Sequence, residues 1–372
     1  MDEILRIIIS GGGTGGHIFP AISIANAIKA LCPDAKILFV GAEDRMEMQR
    51  VPAAGYEIKG LPIRGLYRPL WRPANVGVAI DYLKSKWLAR KIIREFRPQV
   101  AVGVGGYASS ATLGAAYDMN IPCLVQEQNS YAGLTNKRLA NKAKKFCVAY
   151  EGMERFFPAD KIILTGNPVR QTLLDNQLSR EQALTAFGLD PKKKTVLLVG
   201  GSLGARTINE SMLQHLKEIE QAGQELQFVW QTGKFYSEEI AQRLQQQGKP
   251  ANLVVTDFIS DMAAAYKAAD LVISRAGASS ISEFCLIGKA VILVPSPNVA
   301  EDHQTKNAMA LVNRGAALLV KDCEAPEKLV QLAINTVADE RQLASLRENV
   351  LKMALPNSAE IIAKEVIKLA NH

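Results

Sequence analysis

Arg6-Ile-Ile-Ile-Ser10 runs into Gly11-Gly-Gly-Thr-Gly-Gly16 and His17, and Thr195-Val-Leu-Leu-Val199 runs into Gly200-Gly-Ser-Leu-Gly204. In each, a continuous apolar run feeds a glycine loop and then a helical stretch. Uninterrupted apolar runs mark parallel strands covered on both faces, and a strand, glycine loop and helix in that order open a doubly wound sheet. The pattern occurs twice, so the chain is expected to be α/β with two Rossmann-like halves.

Working outward, further short β-branched runs predict strands over 4–10, 36–40, 100–104, 123–126, 145–148 and 162–165 in the first half. In the second half they fall at 195–200, 227–230, 253–255, 271–274, 291–294 and 317–320. Helical patterns lie between them, at 21–31, 206–219, 237–247 and 304–313, which is the alternation of doubly wound folds. A chain of 372 residues also exceeds what one hydrophobic core usually supports. The polar stretch 174–194, with Pro191 and three consecutive lysines, marks the boundary region. We expect domains at 1–170 and 171–355, and a last helix within 356–372, set off by Pro356, that crosses back to the first domain.

Composition excludes several classes. The five cysteines are scattered, odd in number and lack C-x-x-C spacing, which argues against a disulfide framework and a structural zinc site. The start, Met1-Asp2-Glu3-Ile4, is a poor signal peptide, and the uncharged stretch 99–117 reads as strand, loop and helix rather than a membrane span. Between residues 64 and 97 nine Lys/Arg face only Asp81 and Glu95, so this segment carries the entire net charge of +7.

Each glycine loop aims backbone N–H groups and a positive helix end at one point, which suits a phosphate. Gly11-x-Gly13-x-x-Gly16 matches the dinucleotide fingerprint, with Glu43 where a ribose-binding acid would lie, so an NAD-dependent oxidoreductase stays open at this point. That fingerprint does not account for His17 or for the second loop. Neither loop ends in Gly-Lys-Ser/Thr, and there is no Asp-x-Asp pair to hold a metal–diphosphate. A diphosphate would then be neutralised by the protein alone: by Ser202, the helix after Gly204, and Arg170 of Gly166-Asn-Pro-Val-Arg170.

Together, Gly12-Gly-Thr-Gly-Gly-His17, Gly103-Val-Gly-Gly-Tyr107, Gln126-Glu-Gln-Asn129, Gly166-Asn-Pro-Val-Arg170, Gly200-Gly-Ser-Leu-Gly-Ala-Arg206, the series from Arg275 to Glu283 and Asp302-His-Gln304 resemble the MurG family within glycosyltransferase family 28, nearly end to end. Its members make lipid II for peptidoglycan. The resemblance implies a GT-B fold, two Rossmann-like domains facing across a cleft, with UDP-GlcNAc held mainly by the C-terminal domain and lipid I by the N-terminal one. It places Ile259 at uracil, Glu283 at the ribose hydroxyls, Ser202 and Arg170 at the diphosphate, and Gln304 with Ala278 at the sugar. Ser279, Ser280, Ile281 and Ser282 belong to the same donor series, and Thr14, Gly15, Gly16 and Asn129 lie on the opposite wall. Gly105, Gly106, Tyr107 and Glu127 fall on the acceptor side. Gln126 stands where the family often has His, and no role is assigned to it. No cofactor or metal is implied, and a non-catalytic nucleotide-sugar-binding protein is the remaining alternative.

The family's reaction inverts the donor's configuration, so one in-line displacement suffices. His17, the only histidine beside a glycine loop, is the candidate general base. The basic segment interleaves Arg68, Leu70, Trp71 and Arg72 with Tyr67, followed by Val76, Ile80, Leu83 and Trp87 at helical spacing. Such a mixture suits an anionic bilayer surface, and a polyprenyl-linked acceptor favours that over nucleic acid. The expected location is peripheral, at the cytoplasmic face of the bacterial plasma membrane.

Overall fold

The computed structural model describes residues 4–65, 67, 71–169, 173, 175 and 177–371. The chain forms two compact units, Met1–Arg170 with Leu355–His372, and Gln171–Ala354.

The first unit is built on strands β1 (Arg6–Ser10), β2 (Lys36–Ala42), β3 (Glu57–Leu61), β4 (Val100–Gly103), β5 (Cys123–Glu127), β6 (Lys145–Val148) and β7 (Ile162–Leu164). All pair in parallel in the order β3-β2-β1-β4-β5-β6-β7. Helices α1 (Gly15–Leu31), α2 (Glu47–Ala53), α3 (Ala74–Phe96), α4 (Tyr107–Asp118) and α5 (Leu134–Arg138) connect them. Ile7 and Ile9 face one way, onto Ile18, Ile24 and Ile28 of α1, while Ile8 faces the other, in the cluster with Ala89 and Ile93 of α3. This two-sided burial is why β1 reads as an unbroken apolar run.

The second unit carries β8 (Lys194–Val199), β9 (Leu226–Gln231), β10 (Leu253–Thr256), β11 (Leu271–Ser274), β12 (Val291–Leu293) and β13 (Leu318–Leu319), all parallel, in the order β10-β9-β8-β11-β12-β13. Its helices are α6 (Arg180–Ala186), α7 (Arg206–Gln214), α8 (Leu216–Gln221), α9 (Ser237–Gln247), α10 (Met262–Ala268), α11 (Ala278–Ile287), α12 (His303–Val312), α13 (Ala325–Ala338) and α14 (Glu340–Leu351). The last helix, α15 (Ser358–Ala370), belongs to the first unit and packs on α1, with Ile362, Ala363 and Val366 fully buried in that core.

Three local expectations are corrected. β3 was not expected, because Glu57-Ile-Lys-Gly-Leu61 alternates exposed and covered residues as an edge strand does, with no apolar run. The first helix begins at Gly15 rather than residue 21, despite Pro20 within it, because Ile18 and Ala21 are anchored in the core under the loop. His17 therefore sits in its first turn. The stretch 206–219 is two helices broken at His215, whose Nδ1 bonds the Ser211 carbonyl at 2.9 Å. Among the described residues no helix is long and apolar enough to cross a membrane.

Truncating Ile362 to Ala should open a cavity between α15 and α1 and cost about 2–5 kcal/mol, read as an earlier urea unfolding midpoint.

Candidate active site

In a parallel sheet the polar loop ends converge where strand order reverses direction. In the first unit that point lies between β1 and β4, whose last residues, Ser10 and Gly103, are register partners. Both strands continue into glycine loops that touch backbone to backbone. A Cβ on Gly106, which has φ of +85°, would stand 2.6 Å from the Gly12 carbonyl oxygen. Only glycine permits that approach in that conformation.

The contact brings His17 against the second loop: a Cβ on Gly105 would lie 2.8 Å from His17 Nε2. The half-buried ring places Nδ1 3.0 Å from the Gly12 carbonyl and 3.3 Å from Thr14 Oγ1. A carbonyl only accepts, so Nδ1 carries the proton and Nε2 presents its lone pair. Burial lowers the His17 pKa below the ordinary 6.5, against the opposing pull of the Gly12 hydrogen bond and the Glu47 charge. The ring is thus neutral and basic at neutral pH, with Nε2 unpartnered among the described residues.

Glu47 was not singled out from the sequence. Fully buried at the start of α2, it accepts from Gly13 N at 3.0 Å and Ala42 N at 3.1 Å. Tyr107 stands half exposed at the head of α4, its ring over Gly65. Thr14 and Gly16 are exposed and Gly15 half-buried on the same loop.

Glu127 ends β5 and Asn129 follows it. Glu127 is buried, and its oxygens accept from Asn129 N (3.0 Å), Asn129 Nδ2 (3.2 Å), Gly133 N (3.0 Å) and Asn136 Nδ2 (2.8 Å). Burial pushes its pKa up, while those four bonds pull it down. Its oxygens are spent on shaping the loop that carries Asn129, which makes Glu127 a scaffold for the site. Gln126 is a scaffold too: it donates to Asn167 Oδ1 at 2.9 Å and accepts from Gln128, which itself donates to the Val104 carbonyl at 2.7 Å. That chain of amides ties the β5 loop to the end of β4.

In the second unit the order reverses between β8 and β11. The loop after β8 is exposed at Ser202 and packs on the loop after β9: a Cβ on Gly233 would meet Gly204 N at 2.1 Å. Buried Gln231, the last residue of β9, ties the loops after β8 and β10 together, donating to the Gly201 carbonyl at 2.9 Å and accepting from Ile259 N at 3.2 Å. Glu283 is 5% exposed within its unit, and its Oε2 accepts from the buried Tyr266 hydroxyl at 3.2 Å. Gln304, one residue into α12, accepts from Ser296 N at 2.8 Å. It follows Glu301 and Asp302, two non-glycine residues held in the left-handed region at φ of +56° and +53°, a strained entry of the kind found at functional sites. Gln231 and Tyr266 carry no sequence signal of their own.

The four helices that open at the two switch points, α1, α4, α7 and α11, share a property: none has a side-chain N-cap and none has an acid in its first turn. α3, α5 and α12 share this property, whereas α6, α10 and α14 are capped by Ser179, Asp261 and Asp339. Uncapped starts leave N–H donors and the positive helix end for a ligand. On α11, Ala278, Ser279, Ser280 and Ser282 are half-buried and Ile281 is buried, and the Ser279 hydroxyl is enclosed without a hydrogen-bond partner among the described residues. Ser282 Oγ donates to the Ala278 carbonyl at 3.0 Å. Arg170, Arg68 and Leu70 lie outside the described residues. Trp71 and Arg72 are exposed just before α3.

Two doubly wound domains, each with a glycine loop and uncapped helix starts at its switch point, place the chain in the GT-B fold class. The model of the glycosyltransferase family 28 N-terminal domain matches residues 7–148, and that of the family 28 C-terminal domain matches residues 195–363. The chain belongs to glycosyltransferase family 28. It is 65% identical over 371 residues to the "UDP-N-acetylglucosamine--N-acetylmuramyl-(pentapeptide) pyrophosphoryl-undecaprenol N-acetylglucosamine transferase" of Bacteroides thetaiotaomicron, covering 100% of this chain and 99% of that one. To the protein of the same name in Bacteroides fragilis it is 64% identical over 369 residues, 99% and 96% of the two chains. The crystal structure of Acinetobacter baumannii MurG superposes with a TM-score of 0.79 at 30% identity, over 98% of this chain and 99% of that one. The nicotinamide alternative loses its footing, since Gly13 N–H, a donor a dinucleotide would take from this loop, is given to Glu47.

Replacing Gln231 by Ala would strand the buried Ile259 N–H and release the exposed loop at Gly201. Such losses cost about 1–3 kcal/mol, which a guanidinium unfolding curve should register.

Proposed function

We propose that the chain moves N-acetylglucosamine from UDP-GlcNAc to the 4-hydroxyl of the N-acetylmuramyl sugar in undecaprenyl-pyrophosphoryl-MurNAc-pentapeptide, turning lipid I into lipid II. The observation that carries this is the neutral His17, its Nε2 lone pair free at the first unit's switch point, in a chain whose full-length relatives bear that transferase name.

The donor belongs to the second unit. Uracil meets the backbone at Ile259, and the ribose hydroxyls meet Glu283, which Tyr266 holds in place. The diphosphate takes the uncapped start of α7 with Ser202, and the start of α11 with its unpartnered Ser279 hydroxyl. Arg170 is assigned to the same charge. Gln304 and Ala278 read the sugar. On the first unit, Thr14, Gly15, Gly16 and Asn129 also serve the donor, while Gly105, Gly106 and Tyr107 line the acceptor's approach on a loop framework that Glu127 braces.

The acceptor oxygen forms a bond to the donor's anomeric carbon as that carbon's bond to the β-phosphate oxygen breaks. The electron pair leaves with UDP, and the acceptor's proton passes to His17 Nε2. Donors fixed in advance around the departing diphosphate stabilise its growing charge by up to a few kcal/mol each.

The membrane reading rests on α3. Its buried residues, Val78, Ser85, Ala89 and Ile93, pack inward, while Val76 (66% exposed), Ile80 (61%), Leu83 (66%) and Trp87 (62%) form an outward apolar stripe continued by Trp71 (82%). Arg64 is paired with Asp81 at 2.6 Å, and Lys86 and Arg90 share Asp118. Arg72, Lys84 and Arg94 stay exposed beside the apolar stripe, the mixture that suits the polar boundary of an anionic bilayer rather than its interior.

His17→Ala should lower acceptor-dependent UDP release by about 10²–10⁴-fold, and near-normal turnover would remove His17 as the base. In the intact protein, the acid limb of kcat/KM should fall below pH 6.5, because burial depresses the His17 pKa and the base is lost only when that group protonates. Changing Trp71, Ile80, Leu83 and Trp87 to Ser should abolish flotation with anionic vesicles, and undiminished flotation would refute the patch.

A further inference from the structure

The hydrogen bonds of Glu47 and His17 end on the same peptide group. Glu47 Oε2 accepts from Gly13 N at 3.0 Å, and His17 Nδ1 donates to Gly12 O at 3.0 Å. That carbonyl and that N–H are the two ends of the Gly12–Gly13 amide, and in a trans peptide they point in opposite directions. Carboxylate, amide and imidazole therefore stand in series.

The surroundings are built to this arrangement. A Cβ on Gly12 would fall 2.0 Å from Glu47 Oε1, and one on Gly41 would fall 2.6 Å from Glu47 Cγ, so both are reduced to glycine by the carboxylate's placement. The second Glu47 oxygen is anchored to Ala42 N at the end of β2. Glu47 is 1% exposed, so water does not screen it from the amide.

We propose that Glu47 is a positioning residue for His17, acting through the Gly12–Gly13 peptide: it draws on the Gly13 N–H, polarises the Gly12 carbonyl, and so holds the proton on Nδ1 and the lone pair on Nε2. It is the function of the carboxylate in a carboxylate–histidine pair, carried across one amide. The inference rests on His17 being the base, and it concerns the group behind that base rather than the base itself. Among the described residues Glu47 is the charged group acting on the ring. On the Gly105–Gly106 side the titratable group is Tyr107, turned over Gly65.

The test is two-bond ¹H–¹⁵N correlation NMR on the full chain with ¹⁵N-labelled histidine, which has four histidines to separate, with His17→Ala giving the assignment. Wild type should show the Nδ1–H tautomer. In Glu47→Gln the ring should titrate at lower pH than in wild type, because a charge favouring the protonated ring is gone. Turnover should drop, by less than the about 10⁴-fold cost of neutralising a carboxylate paired directly with a catalytic histidine because one amide intervenes, with the KM for UDP-GlcNAc within about twofold. A purely structural Glu47 would change the melting temperature and leave the titration where it was, which would overturn the proposal. If Glu47→Gln does not fold, the wild-type tautomer decides alone: Nε2–H would overturn it and Nδ1–H would support it. Should His17→Ala turn over normally while the tautomer and titration behave as expected, the base assignment fails and the Glu47 coupling stands.

Discussion

The structure depends on backbone touching backbone between the loops that leave the carboxyl edges of the two sheets. Where β1 and β4 end, the Gly12 and Gly106 loops meet at a distance no side chain allows, and where β8 and β9 end, Gly204 and Gly233 do the same. These contacts draw the starts of α1 and α4, and the loop leading to α7, over the sheet edge with their N–H groups unused. Doubly wound sheets place ligands at this edge for the same reason. The helices elsewhere that carry side-chain caps have no such duty.

The glycine loops after β1 and β8 are alike in backbone and opposite in what backs them. A carboxylate, Glu47, takes a loop N–H in the first unit. A neutral amide, Gln231, takes a loop carbonyl in the second. Like charges even 8 Å apart repel by about 2 kcal/mol at an effective dielectric of 20. The donor's diphosphate is therefore better placed over the second loop, where the helix starts are uncompensated. A basic imidazole is better placed over the first, where a buried negative charge supports it. On the proposed reading, one supersecondary unit, used twice, takes on two chemistries according to the buried residue behind each loop.

Much of this was legible in the chain itself. Two apolar strands running into glycine loops define the doubly wound pair, and motifs spread from Gly12 to Gln304 point to family 28 and to a GlcNAc transferase. What escaped reading has physical causes. β3 is an edge strand that alternates rather than running apolar. Glu47 reaches Gly13 across 34 positions with no periodic or spacing signal to connect them. Gln231 and Tyr266 act through polar atoms brought together only by the sheet. Glu127 is placed on the acceptor side by the family resemblance, and that its oxygens accept from the backbone and amides of its own loop shows only in three dimensions.

The division of labour between the units is tested most directly by titrating UDP into His17→Ala and Glu283→Ala in a calorimeter, both checked for native near-ultraviolet circular dichroism. If the second unit holds the nucleotide and the first supplies the base, His17→Ala binds UDP as the unaltered protein does, while Glu283→Ala binds at least about tenfold more weakly. A His17→Ala protein that loses UDP while Glu283→Ala retains it would contradict the account.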